Sequence, residues 1–543
     1  MRWEGFAERA DRVGSVSGDY DKIEEVAALL READETGAVA RFVQGRVFPA
    51  WDDAKLDVGP ALLYDALALA SDEKAESVEQ SVAKVGDVGD VAAELDLGGQ
   101  MTFGEDEETV ADVRTALRKI AGGAGEGSEE TKTRELANLF MGSSPEGAKY
   151  LARLVLGEMR LGVGEGTVRD AVADAFDVDT ALVERGLMVT NDIAEVAETA
   201  RDEGDDGLAA LEMRLGRPVK PMLAQTGGAP DALEEFDEAV VEWKYDGARL
   251  QVHVGDETRL FSRSLEDLTD SLPDVVETVE EDADEHVILD AEVVAVDGDE
   301  PLPFQEVLRR IRRKHRIDEM RDEVALELHV FDILYDGDDG AVIDEPLRDR
   351  YDRLNEAVDG TRARVRFVNG TDEVRRERRE AVEAGHEGVM VKNPESAYTP
   401  GARGGDWLKL KPEPETLDLV VTGGEWGEGR RASLVGSYLL SARTDDGYKT
   451  VGKVATGLTD EQLESLTDRF EELVEAEDGK TLKFQPSVVI GVGYEEIQRS
   501  PDYTSGYALR FPRFVRVRDD KGVEDADAVE KIERLYERGE GDG

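Results

Sequence analysis

The spacing of apolar residues changes once along this chain, near residue 216, and the change limits the fold to a helical part followed by strand-containing parts. Before it, Ile23-Glu24-Glu25-Val26-Ala27-Ala28-Leu29-Leu30 and the series Ala148, Leu151, Leu154, Val155 recur at helical spacing and give each segment one apolar face. After it, Ala239 to Trp243 and Leu250, Val252, Val254 alternate as half-buried strands do. Two prolines in Arg217-Pro218-Val219-Lys220-Pro221 mark the passage. Beyond about 415, short glycine-punctuated runs such as Leu419-Val420-Val421-Thr422 and Ser437-Tyr438-Leu439-Leu440 suggest a small barrel. We therefore expect three domains, 1–215, 216–414 and 415–543, in keeping with a length several times that of one domain.

Composition narrows the chemistry. No cysteine is present, which excludes disulfides, thiolate catalysis and cysteine-built zinc sites. The formal net charge is −58, from 124 acidic against 66 basic residues, more than solubility requires. The acids lie within segments that keep their apolar periodicity, so they read as the solvated surface of a folded halophile's protein and not as a disordered acidic tail. Neither a secretion signal nor a membrane-length apolar run is present, and a salty cytoplasm is the expected location.

In the helical part, starts are expected at Ser144-Pro145-Glu146 and at Thr167. Arg160-Leu161-Gly162-Val163-Gly164-Glu165-Gly166-Thr167 has no strand before it, so it is not a dinucleotide fingerprint; it is an inter-helix turn or one that offers backbone N–H groups to a phosphate. Ala121 to Ser128 is glycine-rich and reads as a loop.

The turn Glu242-Trp243-Lys244-Tyr245-Asp246-Gly247-Ala248-Arg249 presents one lysine between two strands. It is followed in order by Phe261-Ser262-Arg263-Ser264, Leu289-Asp290-Ala291-Glu292, Phe331-Asp332-Ile333-Leu334-Tyr335, Glu387-Gly388-Val389-Met390-Val391-Lys392 and Trp407-Leu408-Lys409-Leu410-Lys411. This series resembles the nucleotidyltransferase motifs of ATP-dependent DNA ligases, and the resemblance extends over nearly the whole chain.

That resemblance implies an all-α DNA-binding domain, an α+β adenylation domain and a β-barrel OB-fold domain. It implies nick sealing in DNA replication, repair and recombination, with ATP and Mg²⁺, through a lysyl-AMP and then a DNA-adenylate. Lys244 is the implied nucleophile; an amine must be neutral to attack phosphorus, and the cations Lys409 and Lys411, two apart on one strand face, favour that form while holding phosphate oxygens. Strand alternation puts Asp290 and Glu292 on one face. By resemblance Glu292 serves the ribose or the metal, Glu387 the metal, Phe331 stacks on adenine and Glu242 marks where the base edge is read. Arg249, Arg263 and Arg403 match nucleotide- and phosphate-binding arginines, and Arg518 and Lys521 belong to a lid motif over the triphosphate.

The implied partner is nicked duplex DNA, bound by a monomer. Basic clusters at Arg309 to Arg316, Arg375 to Arg379 and 510–521 are candidate backbone contacts. Gln100-Met101-Thr102-Phe103 faintly resembles a sliding-clamp-binding peptide, although the usual second aromatic is replaced by Gly104. The missing cysteines argue against an NAD-dependent ligase, the helical part against an RNA ligase or capping enzyme, and the intact reactive positions against an idle scaffold.

At about 1 M salt the Debye length is only about 3 Å, so salt suppresses repulsion among the surface carboxylates. Dilution from multimolar to about 0.1 M KCl should therefore lower the unfolding temperature or abolish activity, read by circular dichroism melts across the salt series.

Overall fold

The computed structural model describes residues 1–49, 51–52, 54–98, 108–123, 127–227, 233, 236, 238–298, 300–313, 316–410, 416–427, 434–444, 446–471, 473–494 and 496–541. Gln100 to Phe103 and Lys411 lie outside the described residues. The chain forms two compact units, Met1–Leu410 and Lys411–Gly543.

The first unit begins with helices from Trp3–Ser15 to Ile193–Ala209. Ser144 caps the helix Pro145–Val155 by accepting from the Gly147 N–H, as expected from sequence. The next helix starts at Glu165, two residues before the expected Thr167, because Gly164 takes the capping position. Between these helices Gly162 adopts φ 64°, and Lys22 Nζ donates to the carbonyls of Leu161 (2.8 Å) and Gly162 (3.1 Å). A second residue's backbone is thereby fixed without a regular element. No described helix is long and apolar enough to cross a membrane.

Eleven strands follow among the described residues of this unit: β1 Leu223–Thr226, β2 Ala239–Lys244, β3 Ala248–Val254, β4 Arg259–Ser262, β5 Val287–Asp297, β6 Glu300–Pro301, β7 Ala325–Asp336, β8 Gly340–Ala341, β9 Val365–Val368, β10 Gly388–Lys392 and β11 Arg403–Leu410. They make a five-stranded sheet in the order β1-β11-β10-β2-β9 and a six-stranded sheet in the order β4-β3-β5-β7-β8 with β6 on β5. Among these described strands only β1 and β11 pair with each other in parallel.

One buried cluster runs from the helices through Val219 and Met222 to Ile288, Leu334, Tyr398 and Trp407, so the helical and mixed parts share a core. The passage between them is clasped by β3. Gly216 N–H donates to His253 Nδ1 (3.0 Å), and Gln251 bonds both the N–H and the carbonyl of Val219 (2.9 and 3.1 Å). Burial pushes His253 down to about 3, so it stays neutral and can accept that bond.

The second unit is built on the strand Thr416–Trp426, which pairs with Val435–Thr444 on one side. On its other side it pairs with Val489–Gly493 along its first half and Thr481–Phe484 along its second. Switching partners along one strand bends the sheet around the core of Leu417, Leu419, Tyr438, Leu440, Phe470 and Phe484.

The basic stretch 309–316 is corrected in part. Arg310 is fully buried, with Nη2 on Asp274 (2.5 Å) and Nη1 on the Val324 carbonyl (2.7 Å), and so is a strut and not a backbone contact. The helix Phe304–Ile311 must bury one face, and Arg310 falls on it beside Val307.

Among the described residues Arg350 and Asp332 form the most enclosed ion pair, both with no exposed side chain, joined at 2.8 and 3.0 Å. Arg350 also donates to the carbonyls of Glu345 (2.6 Å) and Ser396 (3.0 Å). Asp332→Ala should lower unfolding free energy by about 3–5 kcal/mol by stranding that charge, whereas Asp332→Leu with Arg350→Met should lose much less. Urea unfolding in high salt measures both.

Candidate active site

Antiparallel pairing of β2 with β10 sets Lys244 opposite Gly388 and Glu242 opposite Met390; pairing of β10 with β11 sets Lys392 opposite Trp407 and Met390 opposite Lys409. Side chains alternate across a sheet, so Glu242, Lys244, Met390, Lys392, Trp407 and Lys409 share one face. The opposite face, Val241, Val389, Val391, Leu408 and Leu410, is packed into a core beneath the helix Thr371–Glu383. The sequence's alternation thus becomes one apolar surface and one that carries the charged side chains.

Lys244, the last residue of β2, forms an ion pair with Glu387 at 2.6 Å. The Glu387 N–H donates to the Lys244 carbonyl (3.0 Å), so backbone and side chain bind the same partner. Asp246 is hydrogen-bonded to Glu387; burial, and then that neighbouring carboxylate, raise its pKa, while Lys244 works the other way. Two carboxyl groups in contact need a shared proton or a cation between them. Glu292, paired with Arg249 across β5 and β3, is pushed up to about 7 by burial, opposed first by Lys244 and then by Arg249. Lys244, Asp246, Glu292 and Glu387 therefore form one electrostatic group.

Glu242 is almost completely buried and meets Lys392, equally buried, at 2.7 Å. Burial raises Glu242 to about 7 against the pull of Lys392. The Lys392 ammonium also lies over the rings of Trp407 (4.0 Å) and Phe331 (4.7 Å), contacts that favour a cation. Lys392 was contained in the motif series but given no role by sequence reasoning; its partner emerges only from the diagonal neighbourhood of β2 and β10.

In the other sheet, the pairing of β5 with β7 skips a position at Phe331: Ala291 faces Val330 and Asp290 faces Asp332. This bulge puts one extra residue on β7 and redirects Phe331, an effect that alternation alone does not foresee. Phe331 meets Trp407 edge-on at 6.3 Å and has the Arg249 guanidinium 5.4 Å from its centre. Asp290 and Glu292 do share a face, with Leu289, Ala291 and Val293 in the core behind it. Their environments differ, however. Asp290 is held by Arg249 Nε (2.8 Å) and by the Tyr398 hydroxyl (2.7 Å).

Arg249 also donates to the Met222 carbonyl (2.6 Å) and the Tyr398 hydroxyl (3.2 Å). Burial opposes its charge, but Asp290 more than offsets this and keeps it firmly protonated. It is thus fixed beneath Phe331 by protein groups. Arg263 is exposed in the turn after β4, and Arg403 is exposed at the start of β11. In the second unit, Arg518 and Lys521 both engage Asp418, at 2.6 Å each.

No group of three or more His, Asp or Glu able to hold a metal by itself occurs among the described residues. A cleft of about 500 Å³ lined by Arg41, Trp51, Arg114, Asp192, Glu195 and Arg217 lies among the helices and contains none of the residues above. Its cations are already matched, Arg41 by Asp192 (2.5 Å) and Arg217 by Glu195 (2.8 Å), so chemistry and not volume locates the site.

Comparison with known proteins agrees with the motif series. Residues 4–173 match the family described as DNA ligase N terminus, residues 221–411 the ATP dependent DNA ligase domain, and residues 431–521 the ATP dependent DNA ligase C terminal region. The DNA ligase of Natronomonas pharaonis is 54% identical over 98% of this chain and 100% of its own length. That of Archaeoglobus fulgidus is 46% identical over 99% of this chain and 98% of its own. Among solved structures, the chain called Pmar-Lig_PreS3 covers 94% of this chain and 99% of itself at 17% identity and a TM-score of 0.50, a likeness of fold.

Proposed function

The chain belongs to the ATP-dependent DNA ligase family, which binds ATP and seals DNA nicks, and from that premise we propose that it works through AMP carried on Lys244. The observation that carries the proposal is the contact of Lys244 with Glu387 at the end of β2, with Asp246 beside Glu387 and Glu292 approaching from the other sheet. In the first step the Lys244 nitrogen forms a bond to the α-phosphorus of ATP and pyrophosphate leaves. The ammonium must first lose a proton, and Glu387, in contact at 2.6 Å and sharing hydrogen bonding with Asp246, is placed to share it. A 5′-phosphate oxygen at the nick next displaces the lysine and takes AMP. The 3′-hydroxyl then attacks that phosphate, closing the phosphodiester as AMP leaves.

Mg²⁺ fits the donor set. Asp246 lies beside Glu387, and burial raises the proton affinity of Asp246 and Glu292, so these carboxylates suit a hard cation that completes its shell with phosphate oxygens and water. Glu292 and Glu387 would hold it, and it would supply charge neutralisation where negative charge develops on phosphate. The Glu242–Lys392 pair offers one acceptor and one donor beside the Phe331 and Trp407 rings, as adenine's edge and face require. Lys409, Arg403, Arg263 and Lys411 remain candidates for phosphate contacts, and Arg518 and Lys521 for a lid in which Asp418 must release them.

The domain division we infer is 1–215 for DNA binding, 216–414 for adenylation and 415–543 for the OB region. Arg312 and Arg313 are exposed and remain candidate backbone contacts, as do Arg510, Arg513 and Arg516, whereas Arg316 is paired with Glu319 at 3.1 Å. Arg375 and Arg376 are exposed beside Asp372 and Glu373, at 3.3 and 4.0 Å, which weakens their candidacy. A monomer in a salty cytoplasm, with a clamp contact through Gln100 to Phe103, completes the proposal.

In multimolar KCl with Mg²⁺, α-labelled ATP should label the protein and labelled NAD should not; a chase with nicked duplex should discharge the label as product forms. Lys244→Ala should take no label, and a wild type that stays unlabelled while binding nicked DNA overturns the mechanism. Lys392→Met should weaken ATP use in adenylate formation about tenfold or more, equivalent to about 1.4 kcal/mol, and narrow the preference for ATP over GTP in the same assay.

A further inference from the structure

We propose that His329 is a positioning residue for the Lys244 amine, acting through a ring stack on Tyr245; this rests on the reading of Lys244 as the nucleophile. Tyr245 directly follows Lys244 and is 7% exposed. Its ring lies flat on His329, with centroids 3.8 Å apart and planes 8° from parallel. His386 meets its edge at 4.9 Å and 70°, and its hydroxyl accepts the Arg364 N–H at 3.0 Å. The ring is thus held on a face, an edge and at its tip.

The partners come from different parts of the unit. His329 lies on β7, opposite Glu292 of β5 in the six-stranded sheet, while Lys244 ends β2 in the five-stranded one. The stack therefore joins the two sheets one residue beyond the proposed nucleophile. His386 immediately precedes Glu387 and also packs on Trp243 at 5.2 Å, so both neighbours of Lys244 touch the residue that leads into its carboxylate partner. Without the flat support of His329, Tyr245 would be free to tilt, and the Lys244 backbone would turn with it.

A ring is needed here, not a titrating group. Burial, and then His386, push His329 down to about 4, and its nearest carboxylate, Glu327, is 3.8 Å away with an exposed side chain. Neutral aromatic surface is what the geometry uses, which sets the rescue. Phenylalanine at this position preserves the stack, and leucine removes it.

The test compares wild type, His329→Leu and His329→Phe in multimolar KCl. One assay is single-turnover transfer of label from saturating α-labelled ATP to the protein; the other is sealing of a pre-adenylated nick, in which Lys244 performs no attack. His329→Leu should slow labelling about a hundredfold, the scale of an ångström's misplacement, while sealing of the pre-adenylated nick stays within about threefold of wild type. His329→Phe should restore labelling. Labelling by His329→Leu at the wild-type rate, equal loss in both assays, or failure of His329→Phe to restore it would each overturn the proposal. A wild type that takes no label would instead overturn the nucleophile reading itself.

Discussion

The antiparallel register between β2 and β10 is the constraint on which the site depends. It sets Lys244 opposite Gly388 and so brings Glu387 to the lysine by both backbone and side chain. A slip of β2 by one residue would turn Glu242 and Lys244 toward the core now filled by Val241, Val389 and Val391. Burying those charges without partners would be prohibitive, so the core that stabilises the sheet also enforces the register of the chemistry.

Buried ion pairs in both sheets differ from surface ones in their response to salt. Exposed ion pairs are screened at high ionic strength, and affinity for DNA phosphates falls with it. Glu242–Lys392 and Arg249–Asp290 are largely buried, and buried pairs are screened far less. A chain with a charge of −58 can thus keep these paired groups together as ionic strength rises. The aromatic rings of Phe331 and Trp407, stacked around these cations, add contacts that salt hardly weakens.

Different physical ranges explain what could be read in advance. Lys244, Glu292, Glu387 and Phe331 belong to short stretches whose order along the chain carries a family resemblance, and local alternation places Asp290 with Glu292 correctly. Local pattern does not reveal that Asp290 is taken by Arg249 and Tyr398 while Glu292 feels the charge of Lys244 from the other sheet. It also treats Arg310 as one cation in a basic run, although the helix Phe304–Ile311 turns it inward to Asp274. Asp246 and Lys392 were in view within their motifs, yet each acquires its significance from a carboxylate far away in sequence.

The sequence by itself determined the helical part, the strand-rich remainder, the absence of thiol chemistry and the family of the chain, because periodicity, composition and ordered motifs are properties of neighbouring residues. Only the tertiary structure decided which charges face one another, where the β7 bulge redirects Phe331, and how His329 reaches Tyr245 across two sheets. Those outcomes depend on pairing register and on burial. Both arise when distant segments compete for the same core, and neither is encoded in any one segment.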